Sequence, residues 1–262
     1  MLKTPGEKPR ILVTNDDGIN APGLKVMEAI AREISDEVWV VAPEVNHSGA
    51  GHSLTLRRPL RTRRLSERHY AVDGTPTDCV LLALQNILED KAINLVLSGV
   101  NHGHNLGEDV TYSGTIAACM EATLLQVPAI AFSQACHERH PVKWKTAEQW
   151  APGVIRPMLT MDWPKDVLVN LNFPDVVAGS VKGVKVTRQG KSKIGDELIE
   201  RIDPRGEPYV WIGLSRDEVE HADDTDVFAV RAGWVSVTPI QLDMTHRESF
   251  AKLTNLLQSQ QE

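Results

Sequence analysis

The sequence has no apolar run long enough to span a membrane and no repeated or low-complexity segment. Its opening, Met1–Arg10, is polar and lacks the apolar core of a secretory signal. Positive charge is in short supply. The 28 Lys and Arg stand against 35 Asp and Glu, a formal net charge of −7, which gives no footing to duplex nucleic-acid binding. Cysteine is also sparse. Cys79, Cys119 and Cys136 are odd in number and have no metal-like spacing. They lie in or beside apolar segments, as buried free thiols of a reducing, cytoplasmic compartment do. Three catalytic signatures are missing as well. No G-x-G-x-x-G follows the first strand pattern, which argues against a nicotinamide or flavin enzyme. No G-x-S-x-G elbow supports a serine hydrolase. The Asp-x-Asp expected of an aspartyl-nucleophile phosphatase is replaced by two adjacent carboxylates.

Those carboxylates are the centre of what is present. Ile11-Leu12-Val13 reads as a short buried strand, and polarity switches at once to Asn15-Asp16-Asp17-Gly18. Ligands of open α/β sheets sit at the carboxyl ends of strands, so Asp16 and Asp17 emerge where a ligand would be. Adjacent carboxylates repel, and a hard divalent cation would resolve that cost. All four residues also favour tight turns, so on this stretch alone the cation and turn readings stand level.

Helical spacing of Leu24, Met27, Ile30 and Ile34 leads to a second strand, Val38–Ala42. This β-α-β start implies a right-handed crossover and a parallel sheet. The small-residue loop 46–53 follows, in which Ser48 is either a hydroxyl donor to a metal or part of a plain connector. Leu54–Val72 alternates and carries Arg57, Arg58, Arg61, Arg63, Arg64 and Arg68, which reads as a solvated face in preference to a steering field for anions. Thr75-Pro76-Thr77-Asp78 is a capping box opening a helix with Val80, Leu81, Leu84, Ile87 and Leu88 buried.

Ile93–Leu97 is the next strand. The polar stretch 98–109 after it is too rich in amide, imidazole, carboxylate and glycine to be core. His102 and His104 point to opposite sides of an extended chain and lack a third soft ligand, so they are read as non-ligands. Ser113-Gly114-Thr115 opens a helix over Ile116–Leu125. Ser113 is either a plain N-cap or, with Thr115, part of an anion cradle at the helix N-terminus, the reading favoured here. Pro128–Ser133 is a further strand, Thr146–Leu159 a helix, and Val167–Asn172 the last strand of the main sheet. Val181–Arg188, Pro208–Gly213 and Phe228–Ile240 read as an antiparallel appendage. Phe250, Leu253, Leu256 and Leu257 mark a closing C-terminal helix.

Three strand ends with oxygen donors and one helix N-terminus suit phosphate ester hydrolysis by metal-activated water, with Mg²⁺ or Mn²⁺ preferred to zinc. The same cradle would also serve a nucleotide sensor that binds without turnover.

The segments ILVTNDDGINAPG, VVAPEVNHSGAGHSLT, GTPTDC, LVLSGVNHGHNLGEDVTYSGTIAACMEA and DPRGEPYVWIG resemble the SurE, or stationary-phase survival protein, family of 5′/3′-nucleotidases, from Ile11 to about Ile240. The resemblance implies an α/β fold with a Rossmann-like, mostly parallel sheet flanked by helices and a swapped C-terminal antiparallel hairpin. It divides the chain into a catalytic body, 1–180, an oligomerisation appendage, 181–240, and a C-terminal helix packing on the body, 241–262. It implies homodimers or homotetramers and one divalent metal per subunit. The implied reaction takes nucleoside 5′- or 3′-monophosphates to nucleoside and phosphate, with exopolyphosphatase activity as an extension. Carried onto this sequence, the metal ligands are Asp16, Asp17, Ser48 and Asn101. Asn105 faces the phosphate, and Ser113, Gly114 and Thr115 cradle it. Asp16 also positions the attacking water.

Overall fold

The computed structural model describes residues 8–137, 140–192, 197–213 and 221–258. The chain starts as β-α-β: strand β1 (Ile11–Thr14), helix α1 (Pro22–Arg32) and strand β2 (Val38–Pro43). Pro22 presets the first helical turn, and Leu24, Met27 and Ile30 form the buried stripe of α1. The arginine-rich stretch is not one strand. It holds a short hairpin, β3 (Thr62–Arg64) and β4 (His69–Val72), at the sheet edge. All three β3 residues are exposed, as the solvated reading anticipates.

Helix α2 (Pro76–Leu82) begins with the expected capping box. The Thr75 hydroxyl accepts from Asp78 N–H at 3.1 Å, and Asp78 Oδ2 accepts from Thr75 N–H at 2.9 Å. Strand β5 (Leu95–His102) runs five residues beyond its expected end at Leu97. Gly99 explains the extension. A Cβ there would lie 2.4 Å from the Phe132 carbonyl oxygen, so only glycine lets the chain pass its neighbour. Pairing is irregular between Ser98 and Asn101, then resumes with Asn101 opposite Ser133.

Helix α3 (Gly114–Leu124), strand β6 (Ala129–Gln134), helix α4 (Trp144–Met158) and strand β7 (Val167–Phe173) complete the central layers. Beyond β7 the structure departs from the sequence reading. Strands β8 (Val184–Val186) and β11 (Val235–Gln241) both join the main sheet, so β7 is not its last strand. Among the described residues of the stretch 181–240, only the hairpin β9 (Leu198–Ile202) and β10 (Pro208–Ile212) forms a separate antiparallel sheet. The expected strand Phe228–Ile240 divides. Its first part is helix α5 (Asp226–Arg231), which Thr225 caps by accepting from Phe228 N–H, and Gly233, at φ +89°, turns the chain back into β11. The C-terminal helix α6 (Arg247–Gln258) buries none of its residues, contrary to the expectation that it packs on the body.

Among the described residues, the main sheet has nine strands in the order β3-β4-β2-β1-β5-β6-β7-β11-β8. All pairings are parallel except β3 with β4 and β7 with β11. One apolar layer, including Met27, Ile30, Phe132 and Ile155, packs α1 and α4 on one face. A second, including Leu12, Val80, Ile116 and Leu168, packs α2 and α3 on the other. Strand order reverses at β1, between β2 and β5, so the crevice at the carboxyl ends of these strands is the topological switch point. No helix among the described residues is long and apolar enough to cross a membrane.

Candidate functional site

Asp16 leaves the end of β1 and turns under the N-terminus of α3. It is 4% exposed, and its Oδ1 accepts from the Thr115 hydroxyl at 2.6 Å. Gly114 makes this approach feasible: a Cβ there would lie 2.7 Å from Asp16 Cβ. Burial raises the Asp16 carboxyl to about 6, the Thr115 hydroxyl opposes that rise, and the charge of Asp17 adds to it. Asp17 is also raised by burial, against a backbone hydrogen bond from His102 N–H at 3.1 Å. Gly18 follows at φ +102°, a left-handed turn that returns the chain towards α1.

The loop after β2 closes over these carboxylates. His47 N–H donates to the Asp16 carbonyl at 2.8 Å. Asn46 Nδ2 reaches Asp17 Oδ1 at 3.3 Å, while Asn46 Oδ1 accepts from Ser48 N–H at 2.7 Å. Asn46 therefore ties Ser48 to Asp17, and Ser48 stays exposed. Across the crevice Asn101 donates its amide nitrogen to Gly103 O at 3.0 Å, which leaves Oδ1 as the atom turned to other partners.

The first turn of α3 is less open than a bare anion cradle. Ser113 caps it, its Oγ accepting from Ile116 N–H at 3.2 Å, so the plain-cap reading of Ser113 describes a real bond. Its hydroxyl proton remains available to a second acceptor. Thr115 commits its hydroxyl, and its amide, to Asp16. Gly114 N–H and the Ser113 hydroxyl are the donors left for an anion.

Asn105 is 7% exposed. Its Nδ2 donates to Ser133 Oγ at 2.8 Å, leaving one amide hydrogen. Its backbone is gripped by Asn170 and Asn172, both fully buried on β7. The sequence reading missed these two, and Asn46 with them. The signal was there: two amides at period-2 spacing in an otherwise apolar strand put polar groups on one buried face. The His102 ring Nε2 is 3.9 Å from Cys136 Sγ, and His102 acts on Asp17 through its backbone N–H and, more weakly, through the charge of its ring.

Donor chemistry fits a hard divalent cation. No lysine or arginine among the described residues pairs with Asp16 or Asp17, and burial, with the charge of Asp17 added at Asp16, disfavours their ionised forms. No three His, Cys, Asp or Glu side chains among the described residues converge on a metal cage. The set offered is two carboxylates with a neutral hydroxyl and amide oxygen, the oxygen-only, partly solvated kind that Mg²⁺ and Mn²⁺ take.

Comparison with known proteins finds relatives along most of the chain. The family model for Survival protein SurE matches residues 11–196. A protein of Paramagnetospirillum magneticum named 5′-nucleotidase SurE is 62% identical over 244 residues, covering 93% of this chain and 94% of that one. A protein of Parvibaculum lavamentivorans with the same name is 51% identical over 260 residues, covering 98% and 94%. The crystal structure of SurE protein from Aquifex aeolicus superposes with a TM-score of 0.83 at 40% identity, over 95% of this chain and 99% of that one. With the acidic turn at the switch point, the glycine-opened helix above it and these matches along most of its length, the chain belongs to the SurE family.

Proposed function

We propose that this chain is a 5′-nucleotidase that hydrolyses nucleoside 5′-monophosphates, and 3′-monophosphates, with one divalent cation, Mg²⁺ or Mn²⁺, per subunit. The observation that carries the reading is the pair of adjacent carboxylates, Asp16 buried and Asp17 half-buried, with no lysine or arginine paired to either among the described residues and with Asp16 bonded to Thr115 in the first turn of α3. The reaction class follows relatives named 5′-nucleotidase at 51% and 62% identity. Asp16, Asp17, Ser48 and Asn101 would hold the cation. When bound, it supplies positive charge against the phosphate and acidifies the attacking water. Asp16, fixed by Thr115, orients that water. Gly114 N–H, the Ser113 hydroxyl and the remaining Asn105 amide hydrogen bind phosphoryl oxygens as charge develops on them. Thr115 supports the cradle through Asp16.

Two extensions belong to the same reading. A site lined by these oxygen donors and amides would also take the end of a polyphosphate chain, so exopolyphosphatase activity is included. The β9–β10 hairpin exposes Leu198, Ile202, Val210, Trp211 and Ile212, each more than half exposed, and an isolated hairpin is marginal in water. It would be covered by a second subunit in a dimer or tetramer.

Phosphate release from 5′- and 3′-nucleoside monophosphates, p-nitrophenyl phosphate and polyphosphate, with Mn²⁺, with Mg²⁺ and with EDTA, tests the proposal. Metal-dependent release well above one phosphate per subunit is expected. Nucleotide binding with no turnover under any metal would replace it with the sensor reading.

A further inference from the structure

Strand β7 carries an anomaly. Asn170 and Asn172 are both 0% exposed in the middle of a run of Val, Leu and Phe. Amides are costly to bury and are kept in a core only when every polar group is met. Here the amides are spent on one residue far away in sequence. Asn172 Oδ1 accepts the Asn105 backbone N–H at 2.8 Å. Asn170 Nδ2 donates to the Asn105 carbonyl at 2.8 Å, and Asn172 Nδ2 reaches the same carbonyl at 3.1 Å. Asn172 Nδ2 also lies 3.1 Å from Asn170 Oδ1, which fixes both amides relative to each other. Ser133, the register partner of Asn172 on β6, takes the Asn105 side chain at 2.8 Å. Both backbone polar groups and the side chain of Asn105 are thus held by two neighbouring rigid strands.

The mount goes beyond the backbone pairing that a buried loop residue needs, because Ser133 fixes the Asn105 side chain as well. We propose that Asn170, Asn172 and Ser133 are positioning residues for the hydrolysis: a buried pedestal that fixes Asn105 so that its second amide hydrogen meets a phosphoryl oxygen. The inference rests on the reading that Asn105 contacts phosphate. The Asn101–Ser133 register pairing places this pedestal one strand from a candidate cation ligand. The pedestal therefore sets phosphate against the cation site without touching either. Loss of a pedestal bond lets Asn105 turn, and small misplacements of a substrate contact cost about 10²-fold in rate.

The experiment uses the full chain loaded with Mn²⁺. Asn105→Ala, Asn172→Ala, Ser133→Ala and the double variant Asn105→Ala/Ser133→Ala are compared. The readouts are kcat and KM on a nucleoside 5′-monophosphate, and the affinities for inorganic phosphate and for Mn²⁺ by calorimetry. Each single variant should weaken phosphate binding and kcat/KM by about 10–10²-fold while Mn²⁺ affinity stays at the wild-type value. The double variant should be no worse than Asn105→Ala, because the pedestal acts only through that residue. Ser133→Ala removes a single hydroxyl and keeps the test alive if Asn172→Ala fails to fold. Wild-type phosphate affinity in both Ser133→Ala and Asn172→Ala, with Asn105→Ala impaired, overturns the pedestal and leaves the phosphate role of Asn105 standing. Multiplying losses in the double variant, or an equal loss of Mn²⁺ affinity, also overturns it. An unimpaired Asn105→Ala overturns the underlying placement as well.

Discussion

Replacing Asp16 by Asn should stabilise the metal-free chain while abolishing its activity. The reasoning is electrostatic. Burial holds the Asp16 carboxyl at about 6 in the folded chain against an ordinary value of 3.8. The folded state therefore binds this proton more tightly than the unfolded state. The stability it lends is fully present below pH 3.8 and is lost as pH rises to about 6. At 1.36 kcal/mol per pH unit, the loss comes to about 3 kcal/mol at neutral pH. Asn keeps an oxygen for the Thr115 hydroxyl and carries no charge, so the variant escapes that loss. Urea unfolding in EDTA at a fixed protein concentration should give Asp16→Asn a higher midpoint at pH 7.5, with unchanged slope, and the gap should close towards pH 4. Taking the difference between variant and wild type cancels the other titrating groups. Added Mn²⁺ should then stabilise the wild type and leave the variant where it was. An Asp16→Asn chain less stable than wild type at pH 7.5 in EDTA would refute the claim that the site stores an uncompensated charge.

Three further outcomes are expected. Gly114→Ala puts a Cβ 2.7 Å from Asp16 Cβ, so the α3 N-terminus must shift, and calorimetry should show Mn²⁺ affinity falling by tenfold or more, on the order of 1.4 kcal/mol. Thr75→Ala removes the α2 capping box; thermal or urea unfolding should show a loss of about 1 kcal/mol. Trp211→Glu on the exposed hairpin should lower the assembly mass by light scattering, and an unchanged mass would remove the hairpin from the interface.

Local signals were legible in the sequence where local physics decides. The Thr75–Asp78 capping box lies within a few residues of the groups it bonds and is found as written, and the Ile11–Val13 run is a buried strand. Position along the sheet was not legible. Nothing in Val235–Gln241 announces that it pairs with β7 across more than sixty residues, and its neighbour β8 is only three residues long. The extension of β5 through Ser98–His102 looks like loop composition, because its small and polar residues serve a crevice wall and a close approach to β6. At the site, residue types were readable and their commitments were not. That Thr115 gives its hydroxyl to Asp16, and that Asn105 stands on Asn170 and Asn172, depends on which strands become neighbours.

The place of β11 between β7 and β8 has a consequence for how the chain is made. Until Gln241 has left the ribosome, β7 has an open edge and β8 has no sheet to join. Close to seventy residues separate the end of β7 from the end of β11. At roughly 5–20 residues per second, the nascent body waits on the order of 3–14 s with an unpaired parallel strand at its rim. That rim carries the β7 backbone groups that β11 later pairs, so a ribosome stalled before residue 235 presents a ready edge for intermolecular pairing. Messages truncated there should yield aggregate, and those truncated after Gln241 should yield folded bodies.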